Sequence, residues 1–231
     1  MTTLVLVPGL GSDVAVWART ITALGDGVQT QVGDTLRDAS LADMARRILA
    51  AAPETFVLAG VSMGGMVSME IMRIAPGRVK ALALVDTNAR PDTDDQKARR
   101  LAINAAMLAA SDIRTLGGSS LDYLVHRSAP RSVREELTDM TVRVGAETYV
   151  RQNLAVAARE DLRPALPAIT VPTQVIVGAE DRMTPPELSH EIHALIPGAE
   201  LHTLDDCGHL PPIEKPEETA RLLRALLARA G

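Results

Sequence analysis

Cys207 is the only cysteine among 231 residues, which excludes an intramolecular disulfide and any cysteine-built zinc site. Aromatic residues make up 2% of the chain: one Trp, two Tyr and one Phe. A nucleic-acid binder that stacks bases on aromatic platforms needs more. The core must instead be filled by Ala, Leu, Val, Ile and nine Met. A positive surplus is missing too. The 24 Lys and Arg stand against 29 Asp and Glu, a net charge of −5, so no phosphate-backbone partner is expected. No run of about 18 apolar residues occurs, and no membrane-spanning helix is expected. Met1-Thr2-Thr3-Leu4 leads straight into a strand-like segment, without the basic stretch and apolar core of an export leader. A cytoplasmic location is the expectation.

What is present is the balance of an ordinary globular chain, 46% hydrophobic and 23% charged, long enough for one large core. Short apolar runs at 4–7, 28–32, 56–61, 79–85, 173–177 and 200–204 alternate with amphipathic stretches at 16–24, 41–52, 65–75, 186–195 and 216–230. Several runs are nearly unbroken Val, Leu, Ile and Ala, as strands buried on both faces of a parallel sheet require. Strand and helix in alternation predict an α/β fold. The rhythm breaks between 88 and 167, where only helical patterns occur, at 94–110, 112–117, 121–127, 132–144 and 147–159. That stretch carries 12 Lys and Arg against 11 Asp and Glu, whereas the rest of the chain carries 12 against 18. The expectation is a core of residues 1–87 and 168–231 with a helical cap, 88–167, inserted after the fourth strand.

The sharpest chemical signal is Gly60-Val61-Ser62-Met63-Gly64, a G-x-S-x-G pattern with an apolar strand before it and a helix after it. A sharp strand-to-helix turn exposes the serine oxygen above the sheet and aims a helix N-terminus at it. Small residues two places either side let neighbouring chain pass closely. Serine alone is a weak nucleophile and needs a base, which in turn needs an orienting acid. Of the five histidines, His209 is best placed: it follows the last strand, at the carboxyl edge where open α/β sheets put their sites. Asp181, after the fifth strand, is the leading acid. The order Ser62, Asp181, His209 suits this scaffold. Asp86, at the end of the fourth strand, is the serious rival, and Glu180, Asp205 and Asp206 are lesser ones. The other reading of Asp86 is a cap for the Thr87-Asn88 turn.

An oxyanion needs backbone donors. Met63 N–H, next to the nucleophile, is one candidate, and Leu10 N–H, in the loop Pro8-Gly9-Leu10-Gly11 after the first strand, is the other. The substrate-contact candidates are Trp17, Met107, Leu124 and Met183, although packing of the first helix onto the insert is the plainer role for Trp17. Further apolar candidates for a pocket wall are Leu108, Leu121, Val125 and Met140. His190 and His193, three apart on one helix, read as a solvated face rather than a metal site. Met66, Met69 and Met72 read as core filling. Cys207 reads as a packing residue whose position beside His209 makes thiol reagents a candidate inhibitor class. No dinucleotide or phosphate-loop fingerprint occurs, and no cofactor or metal is expected.

These features together resemble the α/β-hydrolase superfamily over nearly the whole chain: the elbow at Gly60–Gly64, Gly178-x-x-Asp181 at a strand end, Gly208-His209, and helices between the fourth and fifth strands. Within it, the chain is similar to small cofactor-free esterases and lactonases, including the pimeloyl-carrier-protein methyl ester esterase and enol-lactonase groups. Met63 after the serine also occurs in esterases with perhydrolase side activity. Two departures are visible. Pro8-Gly9 stands where the family often has His-Gly, which keeps the backbone donor at Leu10 and loses a histidine side chain. The usual leading strand pair is absent, which implies a minimal, mostly parallel six-stranded sheet in the order 2-1-3-4-5-6. The resemblance implies hydrolysis of a small-molecule carboxylic ester or lactone through an acyl-enzyme, by a monomer or a dimer. A receptor-like protein with slow turnover and a lyase or perhydrolase reusing the same residues are the competing readings.

Overall fold

The computed structural model describes residues 2–116 and 123–230. Six strands, β1 (Leu4–Val7), β2 (Thr30–Val32), β3 (Phe56–Val61), β4 (Val79–Val85), β5 (Thr173–Gly178) and β6 (Glu200–Leu204), form one sheet in the order β2-β1-β3-β4-β5-β6. Every pairing is parallel, where the expectation was mostly parallel. β2 starts later than position 28 because Val28 N–H closes a turn onto Gly25 C=O. That carbonyl belongs to a glycine at φ 72°.

The helices of the core are α1 (Ala18–Leu24), α2 (Leu41–Ala51), α3 (Met63–Ile74), α7 (Pro186–Leu195), a short α8 (Pro211–Glu214) and α9 (Pro216–Arg229). The insert supplies α4 (Asp94–Ala109), α5 (Arg131–Val144) and α6 (Ala146–Ala157). Strand side chains alternate between two cores, as a two-residue period demands. Phe56, Leu58, Leu82 and Leu84 pack with α2, α3 and α7, and Met66, Met69 and Met72 fill that side. Val57, Ala59, Val61, Ala81, Ala83 and Val85 pack on the opposite side with Leu24 of α1 and Leu222, Leu223 and Leu226 of α9. The first core is thus built without an aromatic side chain other than Phe56, and methionine does the gap filling.

The strand order has a functional consequence. The chain leaves β1 toward α1 on one face and leaves β3 toward α3 on the other. The loops after β1 and β3 therefore diverge and open a crevice at the carboxyl edge, where ligands bind in open α/β sheets.

Between β4 and β5 the described elements are all helical. The stretch expected as a helix at 112–117 is a 3₁₀ turn, Ile113–Leu116. The expected helix 121–127 lies partly outside the described residues, and from His126 the chain turns, with Ala129 N–H donating to His126 C=O. A buried polar hub ties the insert together. Asp92 receives Arg100 at 2.5 Å and Arg159 at 2.7 Å. Arg100 also donates to Asn153 of α6, and Asn153 donates to Asn104 of α4.

Candidate active site

Ser62 occupies the turn between β3 and α3 with φ 57° and ψ −120°. Such a conformation costs a non-glycine residue about 1–3 kcal/mol and persists only where surroundings over-determine it. They do so here. Ser62 N–H donates to Val85 C=O, and Thr87 Oγ1 donates to Ser62 C=O at 2.7 Å. The flanking glycines are required by contact: a Cβ on Gly60 would lie 2.2 Å from Gly64 O, and one on Gly64 would lie 2.1 Å from Val7 O. The elbow is consequently pressed against the end of β1. The Pro8–Leu10 loop lies beside it, with Gly9 so close that its Cβ would meet Ser62 Cβ at 3.3 Å. Neither Leu10 N–H nor Met63 N–H has an acceptor among the described residues. α3 points its N-terminus, and so its positive end, at Ser62.

His209 Nε2 lies 2.8 Å from Ser62 Oγ, and His209 Nδ1 lies 2.8 Å from Asp181 Oδ2. A carboxylate only accepts, so the ring proton belongs on Nδ1 and Nε2 presents its lone pair to the serine hydroxyl. Asp181 is held in turn by four donors. Met183 N–H and Thr184 N–H reach Oδ1, and Thr184 Oγ1 joins the imidazole at Oδ2. Burial alone would raise this carboxyl. The charge of His209, its hydrogen bond and that of Thr184 override it and bring the pKa down to about 2. Asp86, the rival acid, is buried beside Asp181 and His209, but its Oδ1 receives Gly178 N–H and the imidazole turns to Asp181. A cation could in principle sit among Asp86, Asp181 and His209. The donor set does not fit one, because Asp181 and His209 Nδ1 are already spent on each other and on N–H and O–H groups.

Several supporting residues had no sequence pattern. Glu214 of α8 accepts Gly208 N–H and Leu210 N–H, on either side of His209, and also His126 N–H. Its one available signal was an acid four residues after Leu210, in a helix opened by two prolines. Gln152 of α6, wholly buried, accepts Gly11 N–H at 2.9 Å and donates to Thr35 C=O at 3.0 Å. It thereby anchors the loop that carries Leu10. Gln152→Leu strands both backbone groups in the interior, at about 1–3 kcal/mol each. The expected result is a Tm lower by roughly 5–10 °C together with a raised KM or lowered kcat, read by thermal unfolding and steady-state assay.

The expected substrate contacts are dispersed. Trp17 is wholly buried in the core shared by α1, α9 and the α5 residues Val133, Leu137 and Met140. Met107 is also buried, whereas Met183, two residues past Asp181, is 51% exposed. Leu124 meets the site through its backbone, its C=O accepting His209 N–H at 2.9 Å. Leu121 lies outside the described residues. Cys207 is buried, and burial, Glu214 and Asp86 push its thiol far up. The expectation that thiol reagents inhibit through it does not survive, since a buried, protonated thiol is inert.

Residues 4–222 match the alpha/beta hydrolase family, and the chain belongs to that family. It is similar to the pimeloyl-[acyl-carrier protein] methyl ester esterase of Methylococcus capsulatus, 27% identical over 240 residues that span 97% of this chain and 94% of the relative. Among solved structures, a thermophilic esterase from Thermogutta terrifontis superposes with a TM-score of 0.90 at 28% identity, covering 100% of this chain and 90% of that one. The enol-lactonase of Burkholderia xenovorans shares the fold, with a TM-score of 0.86 at 22% identity and coverage of 98% and 91%. None of the described helices is long and apolar enough to cross a membrane.

Proposed function

We propose that this protein hydrolyses a small carboxylic ester or lactone through an acyl-enzyme, with Ser62 as nucleophile, His209 as base and Asp181 as orienting acid. The observation that carries the reading is the unbroken chain from Ser62 Oγ to His209 Nε2 at 2.8 Å and from His209 Nδ1 to Asp181 at 2.8 Å. Ser62 Oγ attacks the carbonyl carbon as its proton passes to Nε2. The tetrahedral oxyanion takes hydrogen bonds from Leu10 N–H and Met63 N–H, at the positive end of α3. The imidazolium then protonates the departing alkoxide, or the ring oxygen of a lactone. Water repeats the sequence on the acyl-enzyme, with His209 again as base. Residues 88–167 act as a cap over this edge, and the pocket walls come from it.

Esterases and a lactonase among the similar proteins support the reaction class, and the substrate itself is to be found with an ester and lactone panel varied in chain length on both sides. The test of the reading is labelling with a fluorophosphonate followed by turnover of short p-nitrophenyl esters. One label per chain at Ser62, with repeated turnover, is expected. Labelling without turnover points instead to a ligand-trapping protein on the same scaffold.

A further inference from the structure

Asp86 raises a problem that the triad leaves unsolved. It directly follows β4 with φ 40°, a region that side-chain-bearing residues seldom adopt. It is wholly buried. One oxygen, Oδ1, accepts Gly178 N–H at 3.0 Å, while Oδ2 has no donor among the described residues. A buried acceptor left bare costs its full desolvation. Its carboxyl also stands with Asp181 and His209 in a cluster in which one polar atom of each side chain lies within 4.8 Å of the other two. The titratable groups around it are Asp181 on the loop after β5, Cys207 and His209 on the loop after β6, and Glu214 of α8. Only His209 among these can carry positive charge, and it is committed to Asp181. Two ionised carboxylates in one dry pocket repel, and one of them takes up a proton.

Asp181 is the one equipped to stay ionised, since four donors already converge on it. We propose that Asp86 is a positioning residue whose Oδ2 carries a proton and donates it to the Asp181 carboxylate, locking the acid loop to β4 behind His209. This rests on the triad reading above. A proton at Oδ2 fills the unpartnered oxygen and removes the repulsion. It also leaves Oδ1 free for Gly178 N–H, so that a single side chain ties β4 to both ends of the turn carrying Asp181. The electrostatics agree: burial and then the charge of Asp181 push the Asp86 carboxyl well above its usual range, against a smaller pull from Gly178 N–H.

A carboxyl raised on folding stabilises the fold fully below the usual carboxylate range, and that contribution is lost as pH climbs toward its folded value. Ionisation of Asp86 also removes the donor from Asp181 and so lowers kcat. An alkaline fall in kcat and in stability is the signature, and asparagine, which keeps a donor and an acceptor but cannot ionise, should abolish it.

The experiment compares kcat and KM for a p-nitrophenyl ester across pH in the parent, Asp86→Asn and Asp86→Ala. It also compares the infrared carbonyl stretch of protonated carboxyl groups in Ser62→Ala with and without Asp86→Asn. Expected are a kcat loss of about 10–100-fold in Asp86→Ala with KM little changed, and recovery to within about fivefold in Asp86→Asn. The alkaline fall disappears in Asp86→Asn, and one protonated-carboxyl band is lost. Overturning results are a kcat for Asp86→Asn as low as that of Asp181→Asn, an unchanged alkaline fall, or no difference in the carboxyl bands. If Asp86→Ala does not fold, the pH profile of Asp86→Asn and the infrared comparison decide. Retained activity in Ser62→Ala sinks the triad reading, while the infrared comparison still reads the Asp86 proton by itself.

Discussion

Ser62→Ala is expected to lower ester turnover by about 10⁴-fold or more while the protein folds as before. The loss is large because, among the described residues, the hydroxyl is the group placed against His209 Nε2. Water admitted in its place would have to be oriented by the residual donors alone. The measurement is active-site-titrated kcat with unfolding followed alongside, and activity within tenfold of the parent would remove Ser62 as nucleophile. The backbone allows a sharper control. Alanine at φ 57° keeps the strain of the elbow, whereas glycine relieves it. Ser62→Gly should therefore be as inactive as Ser62→Ala and yet more stable, by about 1 kcal/mol. Loss of activity with a gain in stability is the mark of strain held for function.

Asp181→Asn is the second large effect, with kcat expected to fall about 10³–10⁴-fold and KM to stay near the parent value. Its amide can present a donor to Nδ1, which favours the tautomer with the proton on Nε2. The imidazole then faces Ser62 with a proton where a lone pair is needed. Nothing in ground-state binding changes, so the loss is carried by kcat. The same substitution has an acid signature. Burial works to raise the Asp181 carboxyl, and His209 and Thr184 bring it to about 2, from an ordinary 3.8. A carboxyl lowered on folding stabilises above its unfolded value and loses that contribution as pH falls through the folded one. The parent should weaken across that interval, and Asp181→Asn should lack this component. Thermal unfolding at steps between about pH 5 and pH 2 measures it. Equal acid sensitivity in the two proteins would mean that Asp181 is not held as described.

The sheet was legible because β3 is buried on both faces and β4 nearly so, which makes Phe56–Val61 a continuous apolar run and Val79–Val85 one broken only at the exposed Lys80. The elbow was legible because steric need concentrates glycine at Gly60 and Gly64, which leaves a spaced pattern in the chain. Asp181 led Asp86 on chain order, since both follow strands at the same edge and strand position does not separate them. The choice turns on where the imidazole points, which is a matter of three-dimensional direction. Gln152 and Glu214 were invisible for another reason. Each holds backbone N–H groups, Gln152 that of Gly11 across 141 positions and Glu214 that of His126 across 88, and a backbone N–H imposes no residue type on its own position. Thr184 and Thr87 likewise act through single hydroxyls that threonines on any loop possess.

The stitching of the insert to the two loops at the serine limits how freely it can be exchanged. Leu124 C=O accepts His209 N–H, and Gln152 holds the loop that carries Leu10. Arg143 of α5 pairs with Asp13, and Glu136 pairs with Arg19. A chimaera that takes 88–167 from another hydrolase discards all of these at once. It would need residue pairs transplanted on both sides of the seam before Ser62 faced His209 as it does here. If the insert acts as the proposed cap, selection for new substrates acting on α5 or α6 would for the same reason tend to move turnover and preference together, because the same segment also holds the loops that carry Leu10 and His209.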